Sequence, residues 1–170
     1  MKPFRLCCVA VFLIFSGAMS SIADPKPVVL APIAHQDAAL EVVGADGTRT
    51  VYSPASLEQF PTYQIETVTP WRNEPAVFAG VLLSDVLAHH DLLSAALILV
   101  TAENEFSSGF DRSVLEAAPI LIATRVNGAP HSRRARGPIQ FVVEDLHYQS
   151  QDVLNESHLV WMASRIEAAQ

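Results

Sequence analysis

The sequence predicts a mixed α+β domain, on three observations. Short apolar runs recur at 38–43, 95–102, 120–126 and 139–143, bounded by turn residues. Sustained helical spacing of apolar residues is confined to one stretch, from Phe78 to Leu87. The order is hairpin, short helix, strand, helix, strand, short helix, strand, strand, which lacks the strict β-α-β alternation of a doubly wound sheet.

Taken in order, residues 1–23 stand apart. Lys2 and Arg5 precede an apolar run from Val9 to Phe15, and Ser21-Ile22-Ala23 has the small-x-small form of a cleavage site. The pattern is that of a secretory signal peptide, with a mature chain expected from about Asp24. An uncleaved anchor is the other reading, disfavoured because the run is shorter than the roughly 20 residues that span a bilayer. Residues 24–37 carry Pro25, Pro27 and Pro32 and are expected to form an extended lead-in. Residues 38–170 are expected to form one domain.

Within that domain, Ala38 to Val43 and Thr48 to Tyr52 flank Gly44-Ala45-Asp46-Gly47, and the Asp-Gly pair predicts a β-hairpin. Ser53-Pro54 predicts an N-cap and first turn of a short helix to about Gln59. Tyr63 to Thr69 alternates as a half-buried strand, and Pro70 to Pro75 forms a loop. Phe78, Val81, Leu82, Val86 and Leu87 predict a helix ending at His89-His90. Ala95 to Ala102 reads as a buried strand, Glu103 to Glu105 as a loop, and Asp111 or Ser113 as the cap of a short helix before Pro119. After Val143 come a polar stretch to Ser157 and a closing apolar segment, Leu159 to Ile166.

The stretch from Pro119 to Val143 carries the most chemistry. Ile120 to Val126 is short, apolar and β-branched, hence a buried strand. Asn127-Gly128 most readily takes positive φ, so the chain turns there. His131, Arg133, Arg134 and Arg136 follow, then Gly137-Pro138 and a second strand from Ile139 to Val143. A cationic loop between two apolar strands places charge at the edge of a rigid core. Guanidinium forks match phosphate, sulfate or carboxylate in two-point contacts. A solvated loop pairing with the acidic surface is the plainer account of the same residues.

Composition narrows the classes. Without residues 1–23 the chain loses Lys2 and Arg5 and no acid, so 9 basic side chains face 18 acidic ones. The net charge then moves from −7 to −9, with histidine neutral. Such a surface disfavours nucleic acid and anionic membranes. Both cysteines, Cys7 and Cys8, lie in the leader, so the mature chain offers no disulfide, thiolate nucleophile or sulfur-ligated metal site.

Other chemistry is thinly signalled. His89 and His90 are adjacent, about 100° apart on a helix, and His35, His131, His147 and His158 are scattered, so no metal site is expected. Ser84, Ser107 and Ser108 lie outside any G-x-S-x-G elbow, and no catalytic residue is assigned. Trp71 and Trp161 read as core or lid aromatics. Glu103 and Glu105 read as an exposed pair, and Phe106 and Phe110 equally as residues of a cleft mouth or of local packing.

As an ordered set, several segments resemble the molybdopterin-binding domain of the sulfite oxidase family, especially its small exported proteobacterial members. They are Thr67 to Trp71, Phe78 to Leu87, Phe106 to Phe110, Pro119 to Ala123 with Asn127-Gly128, Gly137-Pro138, and Trp161 with Ile166. The resemblance implies an α+β fold around a curved β core, with a pterin cleft in catalytic members. In those members a cysteine before the F/W-x-G-V-x-L segment binds molybdenum. Here that region, Thr69 to Val77, is shortened and has no cysteine. Arg136 stands where the family has a histidine before the glycine, and Gln140 where it has an arginine after the proline.

The expectation is therefore an exported, periplasmic or secreted domain of this fold without the molybdenum-ligating cysteine. It is expected to be a non-catalytic module binding a small anion or a periplasmic or membrane protein partner. Asn127, Arg133, Arg134 and Arg136 supply the anion contacts, with Trp71 and Arg72 as the facing wall. No cofactor is expected. The alternative is a genuine molybdopterin-dependent oxidoreductase that holds its cofactor without a protein thiolate.

Overall fold

The computed structural model describes residues 24–144 and 153–169. The leader reading of 1–23 and residues 145–152 of the polar stretch lie outside the described residues. In chain order the strands are β1 (Lys26–Pro27), β2 (Leu40–Val43), β3 (Arg49–Tyr52), β4 (Thr62–Thr67), β5 (Ala76–Leu82) and β6 (Leu97–Ala102). They continue with β7 (Ser107–Asp111), β8 (Leu121–Val126), β9 (Ala129–Pro130), β10 (Gln140–Val142) and β11 (Ala163–Ala168). Three helices join them, α1 (Pro54–Leu57), α2 (Leu83–His89) and α3 (Arg112–Ala117). The architecture is mixed α+β, two sheets with few and short helices. Among the described residues no helix is long and apolar enough to cross a membrane.

One sheet has six strands, ordered β1-β4-β5-β8-β10, with β9 folding back on β8, and all its pairs are antiparallel. The other runs β3-β2-β11-β6-β7 and is antiparallel except where β11 lies parallel to β2. The main core holds Leu40, Ile98, Phe110, Ile122, Phe141 and Ile166 among its members. A second cluster, Ile65, Ala76, Phe78, Leu121, Ala123 and Val142, packs separately. Burying side chains of this size contributes roughly 1.5–3 kcal/mol each relative to exposure.

Local signals form as expected at several points. Asp46-Gly47 turns β2 into β3, with Gly47 at φ 81°. Ser53 caps α1 through a capping box with Ser56, and Pro54 sits in its first turn. Asp111 caps α3 by accepting from the Val114 amide at 3.0 Å. The lead-in pairs Lys26 and Pro27 with β4.

The helix expected from Phe78 is corrected. Ala76–Leu82 is a strand, and only Leu83–His89 is helical. β5 lies between β4 and β8 and is buried on both faces, with Phe78 in one cluster and Val81 in the other. A strand apolar on both faces loses its two-residue alternation, and its pattern then imitates a helix. Gly80 belongs to this packing. A Cβ there would lie 2.0 Å from the Ile122 carbonyl oxygen, beside the irregularity where β8 carries Thr124 unpaired against β5. β7 was not expected as a strand, because serine and glycine mask an alternation that buries only Ser108 and Phe110. The closing segment becomes β11 from Ala163, inserted between β2 and β6.

Candidate functional site

β8 delivers the chain to the turn that begins the site. Asn127 and Gly128 adopt φ of 50° and 77°, as an Asn-Gly turn requires. Asn127 also clamps the turn to β5. Its amide donates to the Val77 carbonyl at 2.7 Å, and its side-chain oxygen accepts from the Val77 amide at 2.9 Å. The oxygen end of Asn127 is thus engaged in structure.

The arginine loop follows. His131 is fully buried and reaches Gln140 of β10, with 2.8 Å between Nε2 and Oε1. Burial holds the His131 imidazole below its ordinary pKa, outweighing the Gln140 bond, and the nearby Arg72 charge adds to the effect. Residues Arg133–Ala135 form one 3-10 turn that Arg136 closes in the left-handed region, φ 76°. A non-glycine residue held there costs on the order of 1–3 kcal/mol, which the surrounding structure must offset. Gly137 lets this loop press on the chain below, since a Cβ would lie 2.3 Å from the His131 carbonyl oxygen.

The three loop arginines have different surroundings. Arg133 forms a two-point ion pair with Glu103 on the β6–β7 hairpin, at 2.5 and 2.9 Å, and its pKa is raised by those bonds. Its charge is therefore balanced. Arg134 is exposed, and among the described residues no carboxylate pairs with it or with Arg136. The Arg136 guanidinium carbon lies 4.3 Å from the Trp71 ring centroid and 5.1 Å from that of Trp161. Met162, also at positive φ (52°), donates its amide to the Arg136 carbonyl at 3.3 Å.

These elements enclose a cavity of about 760 Å³. All six residues expected at a ligand site line it, namely Trp71, Arg72, Asn127, Arg133, Arg134 and Arg136. Arg72 stacks over Phe78, 5.7 Å from the ring centroid. Thr69, Glu74, Gln140, Trp161 and Met162 line it too and were not assigned from the sequence. With Arg133 balanced by Glu103, Arg72, Arg134 and Arg136 against Glu74 still make the lining cationic in a chain of formal charge −7. Only the altered family position pointed to Gln140. In the sequence Trp161 reads as a core or lid aromatic and as part of the resemblance, not as a site residue.

A molybdenum centre of the kind the resemblance implies does not fit this lining. Thr69 to Val77 contains no sulfur, and Met162 supplies only a neutral thioether where the chemistry asks for a thiolate. Among the described residues no group of three or more His, Cys, Asp or Glu side chains could hold a metal ion.

Two other features are separate from the cavity. Glu58 lies beneath β8 and accepts from Arg125 at 2.9 and 2.5 Å and from Thr124 at 2.7 Å, with His35 Nε2 at 2.9 Å. Burial raises the Glu58 pKa, but the bonds from Arg125, Thr124 and His35 outweigh it and hold the carboxyl below its usual range. An apolar cleft of about 500 Å³ lies beside α2 and α3.

Comparison with known proteins gives a likeness of fold. Among solved structures the chain is similar to the sulfane dehydrogenase SoxCD from Paracoccus pantotrophus. The TM-score is 0.58 and the identity 16%, over 81% of this chain and 39% of that one. The chain thus spans well under half the length of the chain it matches. No family model matches the sequence. No curated protein matches it either.

Proposed function

We propose that the protein is an exported binding module that holds a small anionic ligand in the cavity between Trp71 and Trp161, with no redox chemistry of its own. The observation that carries this reading is the setting of Arg136. Its guanidinium lies over two indoles, neither of which has a hydrogen-bond acceptor to occupy its N–H donors. It also lacks a carboxylate partner among the described residues. A cation stacked on aromatic rings, with its donors facing a cavity, is pre-organised for an anion and loses little freedom on binding. Arg134 and Arg72 extend the same field, and Trp71 with Arg72 forms the facing wall. Export rests on the leader pattern of residues 1–23.

Calorimetric titration with sulfate, phosphate and acetate tests the reading. The double variant Arg134→Gln/Arg136→Gln is expected to weaken every anion that binds the wild type, and an unchanged Kd removes the arginine loop from the site. A molybdopterin-dependent oxidoreductase without a protein thiolate is the second reading, favoured by a cavity of cofactor size, about 760 Å³. Elemental analysis separates the two. One tightly held molybdenum per chain overturns the first.

A further inference from the structure

Gln140 and Thr69 are the buried polar residues of the cavity lining, and Gln140 is the one with a side-chain donor left without a partner among the described residues. It is 2% exposed and lines the cavity, its backbone paired with Ala123 of β8 and bridged to Trp161. Its side-chain oxygen takes the His131 Nε2 contact at 2.8 Å. An amide oxygen only accepts, so His131 carries its hydrogen on Nε2. His131 Nδ1 and Gln140 Nε2 are then both buried without a hydrogen-bond partner among the described residues. With the amide oxygen engaged by the imidazole, the NH₂ end is left over. Leaving a buried donor unpaired is unfavourable, and an acceptor brought by a ligand removes the penalty.

The lining is also graded in exposure. Gln140 is buried, Arg136 half-buried and Arg134 exposed. Full charge is thus met on the more exposed side chains, and the neutral donor belongs to a buried one. A neutral amide does not offset the burial of a full negative charge, but it satisfies an uncharged oxygen well. Exposed Glu74 on the same wall opposes a second negative charge in the ligand.

Resting on the anion-binding reading above, we infer that Gln140 is the specificity-determining residue of the cavity and that the ligand is a small organic monoacid with a second, uncharged oxygen. The carboxylate meets Arg136 and Arg134. A ketone or amide oxygen reaches Gln140 Nε2.

The test is titration of the full chain with acetate, pyruvate and 4-oxopentanoate, which carry equal charge, followed by calorimetry and by nitrogen-edited NMR of side-chain amides. At least one oxo acid is expected to bind roughly three- to tenfold tighter than acetate, the scale of one added hydrogen bond. The same oxo acid is expected to shift the Gln140 amide resonance, assigned by its loss in Gln140→Leu. In that variant the oxo-acid advantage disappears while acetate binding persists. Gln140→Met, closer in length, provides the same comparison if the leucine variant does not fold. Oxo acids no tighter than acetate, with the wild-type amide resonance unmoved, overturn the assignment while leaving anion binding intact. Failure of all three acids to bind the wild type overturns the anion reading itself.

Discussion

The guanidinium carbon of Arg136 sits 4.3 Å from the centre of the Trp71 ring, on a backbone held at φ 76°. Stacking favours the arginine side chain while the backbone disfavours any residue with a Cβ, so the two can be separated by substitution. Arg136→Ala keeps the strain and loses the stacking, whereas Arg136→Gly loses both. Glycine is expected to be the more stable variant by about 1 kcal/mol in denaturant unfolding, with anion binding weakened equally in both. Equal stability would show that the left-handed backbone carries no strain.

The indoles are expected to act through Arg136. Trp71→Ala should weaken anion binding by the value of one cation–π contact, about 0.5–2 kcal/mol or roughly two- to thirtyfold in Kd. Trp71→Phe keeps a ring face and should recover part of it. Indole fluorescence should respond to anion in the wild type and respond less in Arg136→Gln.

The Glu58–Arg125 pair predicts a large stability effect away from the cavity. Both side chains are nearly buried, at 7% and 4% exposure. Glu58→Ala leaves the Arg125 guanidinium uncompensated and is expected to cost about 3–5 kcal/mol. Replacing both, Glu58→Leu with Arg125→Met, should recover much of that loss in chemical denaturation. A double variant as unstable as the single one would contradict the ion-pair account.

Acid should destabilise the protein in two steps. His90, His131 and His158 have folded pKa values lowered, in each case chiefly by burial, from an ordinary value of 6.5. Between that value and the lower folded ones the unfolded chain binds more protons, so stability is complete above about pH 6.5 and declines as pH falls. Glu58, lowered from 4.5, adds a second loss as pH falls below that value. Thermal unfolding against pH should show both, with the lower limb flattened in Glu58→Gln and the upper one reduced in His158→Phe.

Gly80 and Gly137 should resist even alanine. At each, a Cβ would meet backbone oxygen, at 2.0 Å from Ile122 and 2.3 Å from His131. Gly80→Ala is expected to lose about 3 kcal/mol, the upper end of overpacking, because the β5–β8 pair cannot separate without breaking the sheet. Gly137→Ala should displace the Arg136 loop and weaken anion binding more than it lowers Tm.

Much of the local structure was legible because it is encoded within a few residues. Asp46-Gly47, Ser53-Pro54, Asp111 and Asn127-Gly128 act on their own backbone, and each produced the expected turn or cap. The arginine loop was also visible as a cluster of charge. Phe78 to Leu82 misled for the opposite reason, since its pattern was set by burial on two faces, which depends on strands distant in sequence.

By itself the sequence determined an α+β chain with local turns in place and a short cationic loop on an acidic protein. Only the tertiary structure decided that Glu103 neutralises Arg133, that Arg136 meets both tryptophans, and that His131 meets the Gln140 amide oxygen. Turns and caps depend on backbone preferences spanning a few positions. The partners of a long charged side chain depend on which distant strands pack beside it, and no local pattern records that.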